Sequence, residues 1–356
     1  MTALAPRTLA DSTKGALFGL CAAALFGLSA PVAKVLLAEV SPVLLAGLLY
    51  LGAATGLWLH RAMRPTSSEA RLARADVPKL AGVVLAGGVL APVLMLFGLE
   101  RVTGLSGSLL LNLEAPFTVL LAVVLFREHL GWHAALAALF IFAGAGVLKL
   151  ESGALGADTA GVLLLAAACL CWALDNNLTQ RLTLRDPFAI VRVKTLIAGC
   201  TNVTLGLIVV GGTWPDLRYV VVAMLLGSVS YGLSIVLDAY ALRFVGAARE
   251  AAYFATAPFV GAFVSVVVLG DSVRWDTLVA MLSMALGVAL LLRERHAHVH
   301  THEMLEHEHL HEHDEHHQHQ HVPGDPTGSP HSHWHRHSAL VHDHPHVPDA
   351  HHRHLH

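Results

Sequence analysis

The sequence predicts an all-α membrane protein: ten transmembrane helices arranged as two inverted five-helix repeats, followed by a disordered His-rich C-terminal tail. Three observations predict it. Hydrophobic residues make up 54% of the 356 and charged residues only 14%, although the last sixty or so are almost entirely polar; a soluble chain of this length carries far more charge on its surface. Two stretches 142 residues apart repeat one another, Arg101-Val-Thr-Gly104 with Ala115-Pro116-Phe117 and Arg243-Phe-Val-Gly246 with Ala257-Pro258-Phe259, each followed by a polar break and a Trp, Trp132 or Trp275. Lastly, 23 of the 26 histidines fall in the 61 residues from His296 to His356.

A spanning helix needs about 20 mostly apolar residues, and ten such windows follow in order. The first, 15–37, starts after Lys14 and is followed by no convincing small-residue cleavage site, so it reads as a membrane helix rather than an export signal. Ser41-Pro42 opens the second, 41–59, and Arg64-Pro65 marks its end. The third and fourth, 79–99 and 104–126, flank the first Arg-Val-Thr-Gly, and Gly131 opens the fifth, 131–149. After Gly153 come the sixth, 158–179, the seventh, 187–211, opened by Asp186-Pro187, and the eighth, 218–241, preceded by Trp214-Pro215. The ninth, 247–269, ends at Gly270-Asp271, and the tenth covers 275–292.

Orientation follows from Lys and Arg, which cytoplasmic loops retain. With the N-terminus inside, thirteen of these residues fall on inside segments and four, Arg101, Lys149, Arg218 and Arg274, on outside ones. Both termini are therefore expected in the cytoplasm. Five helices per repeat is an odd number, so the second copy enters from the opposite side, the arrangement associated with alternating access. The chain divides into a cytoplasmic N-terminal segment (1–13), a first repeat (14–150), a second repeat (156–293) and the tail (296–356). A net charge of −3 argues against nucleic acid as a partner, and Cys21, Cys169, Cys171 and Cys200 all lie in apolar runs, which fits small buried side chains better than disulfides or a zinc site.

The ten spans, the doubled unit and the segment Asn112-Leu-Glu-Ala-Pro-Phe-Thr118 followed by Leu125-Phe-Arg-Glu128 resemble the drug/metabolite transporter superfamily, in particular its EamA-type members. Ala255-Thr-Ala-Pro-Phe259 followed by Leu269-Gly-Asp271 repeats the pattern. The resemblance covers about residues 14–293. It implies a ten-helix bundle with both ends in the cytoplasm that moves small organic molecules, often outward and often coupled to protons.

Candidate site residues come from groups that are costly in a membrane. A charge there costs about 2.5–3.5 kcal/mol on insertion scales, so each needs a reason. Glu114, close to Asn112 in the fourth span, is either a structural carboxyl or a proton-coupling or substrate-contacting one. Pro116 and Pro258 each remove a backbone hydrogen bond inside a span, and either shape the packing alone or point at a central cavity. Asp175 and Asn176 in the sixth span, Arg192 and Lys194 in the seventh, Asp238 in the eighth and Arg249 and Glu250 in the ninth lie towards one membrane face. Three acids and three bases are thus expected to meet in one layer, as a closing network or a vestibule for a charged solute. Tyr50, Tyr231, Tyr240, Tyr253 and Trp172 are further candidates for lining a cavity.

The tail cannot bury enough apolar surface to fold alone. Its alternating histidines, among them His307, His309, His311, His313, His316, His317, His331, His333, His335 and His337, offer many sets of two to four imidazoles, suited to zinc, nickel, copper or cobalt. No resident cofactor is required. The leading expectation is a secondary transporter in the inner membrane of a bacterial cell, exporting an amino acid or related metabolite by alternating access, with the lipid bilayer, a small solute and tail-bound metal ions as partners. The alternative is an exporter of zinc, nickel or cobalt whose tail delivers or senses the metal. A membrane-anchored metal sensor would need neither the doubled bundle nor its charges. No nucleophile-base pair, phosphate loop or cofactor fingerprint suggests an enzyme.

Overall fold

The computed structural model describes residues 9–63, 72–126, 131–150, 158–182, 185–245 and 247–293, together with the tail segments 296–302, 305–311, 331–337 and 340–346. Up to residue 293 the described elements are helical. The first span bends at Leu28 into α1 (Leu9–Gly27) and α2 (Ser29–Leu36), and α3 (Pro42–Met63) is the second. In the third span, α4 (Val77–Val83) and α5 (Ala91–Arg101) are joined by a π-helical stretch, Val84–Leu90. Pro92 explains this break: it has no N–H to give to the Gly88 carbonyl, and the helix widens just before it. The eighth span repeats the device with no proline: α11 (Leu217–Gly227) passes through the π-helical Ser228–Leu233 into α12 (Ser234–Val245).

The two Ala-Pro-Phe motifs also break their helices in step. The fourth span is α6 (Gly104–Leu110), a 3-10 turn at Leu111–Leu113 and α7 (Glu114–Phe126). The ninth is α13 (Ala247–Phe254), a turn and α14 (Ala257–Val264), which continues as a π-helical stretch to Leu269. The remaining helices are α8 (Trp132–Leu150), α9 (Thr159–Gln180), α10 (Pro187–Val209) and α15 (Trp275–Leu291). Asp158 caps α9 by accepting from Ala160 N–H at 3.0 Å, and Asp186 caps α10 from Ala189 N–H at 3.1 Å.

Among the described residues, nine helical spans are long and apolar enough to cross a membrane, and α15, with 17 residues, is apolar but shorter. The chain is an integral, multi-pass membrane protein. Leu282, Ile208 and Val124 stand on its outer surface, where lipid rather than water satisfies them.

Helices of one copy pack on helices of the other. α3 lies on α10, α8 on α15 and α6 on α14, while α1 packs on α12 as α5 packs on α9. The 142-residue offset maps the second, fourth and fifth spans onto the seventh, ninth and tenth, and maps the first and third onto the sixth and eighth. Each of these pairings therefore joins equivalent spans or exchanges with its counterpart. Equivalent spans run antiparallel: Gly47 lies against Val203 but Leu44 against Gly206, and Gly144 lies against Met284 but Ile141 against Gly287.

Four segments of the tail are described, each as a strand. β1 (His296–His302) pairs antiparallel with β4 (Leu340–His346), and β2 (Leu305–His311) with β3 (His331–His337). The alternation that supplies imidazoles is also the period-two pattern of a strand, which is why these segments extend. A ribbon of only two strands gains little stability from itself.

Candidate functional site

Polar side chains of the first repeat and of the sixth and seventh spans meet beside the break in the fourth span. Glu114 begins α7 where the 3-10 turn ends, and its Oε1 accepts from Asn176 Nδ2 at 2.7 Å. Thr118, one turn on, donates to the Glu114 carbonyl at 2.9 Å, and its own carbonyl accepts from Asn177 Nδ2 at 3.0 Å. Asp175 is buried and forms an ion pair with Lys194, while Thr179 donates to its other oxygen at 3.1 Å. Both Asp175 and Lys194 lie close enough to act electrostatically on Glu114. The ammonium is engaged with Asp175.

The wall behind Asp175 is backbone. Gly87 sits in the π-helical stretch, and a Cβ there would collide with the Asp175 carboxylate. Its carbonyl, freed from regular helical bonding, accepts from Tyr50 Oη at 2.7 Å and from Trp172 Nε1 at 3.2 Å. Asn202 of α10 reaches the next carbonyl, Gly88, at 3.3 Å. A widened turn in the third span is therefore held open by three side chains from three other helices. Asn176 is exposed on the far side of the cluster. A carboxamide bonded to a carboxyl is costly against lipid.

Several sequence expectations are redistributed. Asn112 does not join Glu114: its amide donates to the Leu109 carbonyl at 2.9 Å and its side chain faces Met284. Tyr50 and Trp172 are buried against Gly87 rather than lining a surface. Arg192 pairs with Asp186 at 3.3 Å, a residue the sequence marked only as a helix start. Asp238 lies beside Glu250, and among the described residues Asp238 Oδ1 is buried with no hydrogen-bond partner. The expected layer of three acids and three bases is thus, among the described residues, three separate contacts: Asp175 with Lys194, Arg192 with Asp186, and acid with acid. The Arg249 side chain lies outside the described residues. Asp175 and Asn202 show how helical spacing decides such questions, since which polar groups meet depends on how neighbouring helices are rotated.

Pro116 and Pro258 each stand in the first turn of the helix that follows a break, α7 and α14. Both therefore mark the place where the fourth and ninth spans change direction. Gly104 lies against Leu269 and Ser265, and Gly261 against Ser108. The two spans thus run antiparallel and in contact over α6 and α14. No comparable packing joins α7 to α13 among the described residues. The packing of α6 on α14 closes one end of this crossing.

In the tail, the register sets His307 opposite His335, His309 opposite His333 and His311 opposite His331, and sets His337 opposite Leu305. His313, His316 and His317 lie outside the described residues. Elsewhere, among the described residues, no three His, Cys, Asp or Glu side chains are grouped to hold a metal ion, and all four cysteines are free thiols.

The sequence pattern of the EamA-like transporter family matches residues 13–150 and again 159–293. The chain belongs to the EamA-like transporter family. It is thereby a member of the drug/metabolite transporter superfamily, and the doubled match falls on the two halves that pack across each other. An uncharacterized transporter of Methanothermobacter thermautotrophicus is 32% identical over 218 residues, 60% of this chain and 64% of that relative's length. A protein of known crystal structure has a similar fold at 20% identity, with a TM-score of 0.58 over 78% of this chain and 97% of the other. The polar cluster is the candidate solute site of this EamA-like chain. Thr118, Thr179 and Asn202 were not foreseen in it. The signal for two of them is present in the sequence: Thr118 and Thr179 each stand one helical turn after a carboxylate, Glu114 and Asp175.

Proposed function

We propose that this EamA-like protein exports a small organic solute, an amino acid or related metabolite, by alternating access with protons as the coupling ion. It does so as ten spans in two inverted repeats, in the inner membrane of a bacterial cell, with both termini in the cytoplasm. The observation that carries this reading is the position of Glu114. It lies between a closed packing of α6 on α14 and an end where α7 and α13 have no comparable packing, beside an exposed Asn176. Antiparallel contacts between equivalent spans support the inversion, because an axis along the membrane normal would leave equivalent helices parallel. The distribution of Lys and Arg puts the closed end outside.

The test is transport of radiolabelled amino acids into inside-out vesicles under an imposed proton gradient, comparing the full chain with Glu114→Gln. Saturable uptake that follows the gradient and falls at least tenfold in the variant is expected. Uptake unaltered in rate and pH dependence by Glu114→Gln would remove the carboxyl from the mechanism.

A second reading has one observation in its favour. The tail register places histidine opposite histidine, and residues so placed have Cβ atoms about 4.5–5.5 Å apart, within reach of a shared zinc, nickel, copper or cobalt ion. The tail is read here as a metal buffer or sensor. If the same vesicles take up zinc, nickel or cobalt, and lose this on truncation after Arg295, the tail delivers cargo and the solute is the metal.

A further inference from the structure

The closed end of the crossing is fastened by a side chain that the solute site does not use. The ninth span leaves its π-helical stretch at Gly270, whose φ of 71° is a left-handed conformation that glycine adopts without penalty. That turn brings Asp271 back over the start of α6, where its Oδ2 accepts the Leu105 N–H at 2.7 Å, 166 residues away in sequence. The first N–H groups of a helix have no partner inside it. Thr103 satisfies one of them from within the same span, accepting from Ser106 N–H at 3.1 Å. Asp271 satisfies a second from the other repeat, with a carboxylate at the positive end of the helix. Gly104 permits the approach, since a Cβ there would meet Leu269, Ser265 and Asp271 itself.

Two more contacts converge on this end. Lys34 of α2 donates to the Leu99 carbonyl at 2.6 Å and stands near Asp271 and Glu100. α2 itself packs on both α6 and α14. First, fourth and ninth spans are thus drawn together around one cap that only the ninth supplies. A cap made within one helix stabilises that helix in every state of the protein. A cap lent by a neighbouring span exists only while the two spans touch.

We propose that Asp271 is a detachable cap: it holds the Leu105 N–H while this end is closed, releases it when the end opens, and so sets how often the protein is closed here. This rests on the alternating-access reading and gives Asp271 a positioning role in it, since Asp271 lies apart from Glu114 and its neighbours. Its effect should be that of losing one capping acceptor, roughly a fivefold to tenfold shift between the two states.

The experiment uses the full chain in proteoliposomes. A cysteine replaces Ser108, which is buried at the closed crossing, or Thr118 beside Asn176. A charged thiol reagent reads its accessibility, site by site, through peptide mass spectrometry, and size-exclusion profiles check folding. Asp271→Ala is expected to raise labelling at position 108 about fivefold to tenfold and to lower it at 118, with Asp271→Asn, which keeps an acceptor without the charge, in between. Gly104→Val, which pushes the ninth span away by bulk alone, is expected to produce the same exchange. Unaltered labelling in Asp271→Ala, or a rise at 108 with no fall at 118, overturns the cap as a switch. Exchange in Gly104→Val alone leaves alternating access standing without the cap, and exchange in neither variant removes alternating access itself.

Discussion

The two repeats share their backbone devices and differ in their chemistry. Each has an Arg-x-x-Gly at its fourth-span start, an Ala-Pro-Phe after a helical break and a π-helical stretch in its third span. At the same offset, however, Glu114 corresponds to Thr256, Asp175 to Ala33, Lys194 to Gly52, Asp238 to Leu96 and Glu250 to Ser108. Shape is duplicated and charge is not. A duplicated shape lets the halves exchange roles at the two membrane faces; unshared charge lets the faces treat a solute differently.

The comparison breaks most sharply at Lys194. Lys194→Ala leaves the buried Asp175 carboxylate without its cation, and removing one partner of a buried pair costs about 3–5 kcal/mol. A large fall in the thermal midpoint of detergent-solubilised protein is expected, with Asp175→Asn combined with Lys194→Gln recovering much of it. Should Lys194→Ala unfold no earlier than the parent, the pair is solvated and the asymmetry at this position carries no stability. Gly87→Ala comes next. Its methyl group would strike Asp175, and overpacking of this sort costs about 1–3 kcal/mol. Gly232→Ala, in the corresponding π-helical stretch, meets the Ala53 carbonyl at 3.3 Å, tight but no collision, and should lower the midpoint less. Equal losses would show that the two stretches are alike after all.

Moving the central carboxyl sharpens the same point. Glu114→Thr with Thr256→Glu puts the acid on the second copy at the equivalent place. If position matters, transport stays lost, because at this offset Asn176 corresponds to Lys34, which is bonded to the Leu99 carbonyl; restored transport would mean that only net charge at the crossing counts.

The smallest effect belongs to the Arg101–Asp158 pair, at 2.7 Å and with both side chains about half exposed. The Arg101 hydrogen bond holds the Asp158 carboxyl below its ordinary range. Whatever stability the pair gives is therefore present at neutral pH and disappears as pH falls through that lowered range. Solvent screening makes it slight. Asp158→Asn, which can still accept the Ala160 N–H, should leave the midpoint at pH 7 unaltered; a clear drop would place this surface pair among the determinants of the fold.

Much of the fold was legible because the bilayer is a demanding solvent. Apolar length gave the spans, and the doubled Arg-x-x-Gly and Ala-Pro-Phe gave the two halves. Pro116 and Pro258 marked both helical breaks. The π-helical stretches were not foreseen: Gly87, Gly88 and Pro92 accompany the first, but the second, Ser228–Leu233, has no proline to mark it. Charge partners were also beyond the sequence. Arg192 and Lys194 are two residues apart and so point to different sides of one helix, which sends one to Asp186 and the other to Asp175.

The repeated tryptophans acquire a meaning from the way the fifth spans lie. Trp132 opens α8 and Trp275 opens α15, both rings are largely exposed, and the two helices run in opposite directions, with Ser283 bonded to the Phe140 carbonyl at their middle. One motif therefore delivers an indole to each water–lipid boundary, where such rings prefer to sit. Between them the short α15 covers about 25 Å at 1.5 Å per residue, less than a hydrocarbon core of about 30 Å. This flank holds the shortest of the described spans, and thinner lipid or side chains anchored at its ends make up such a difference.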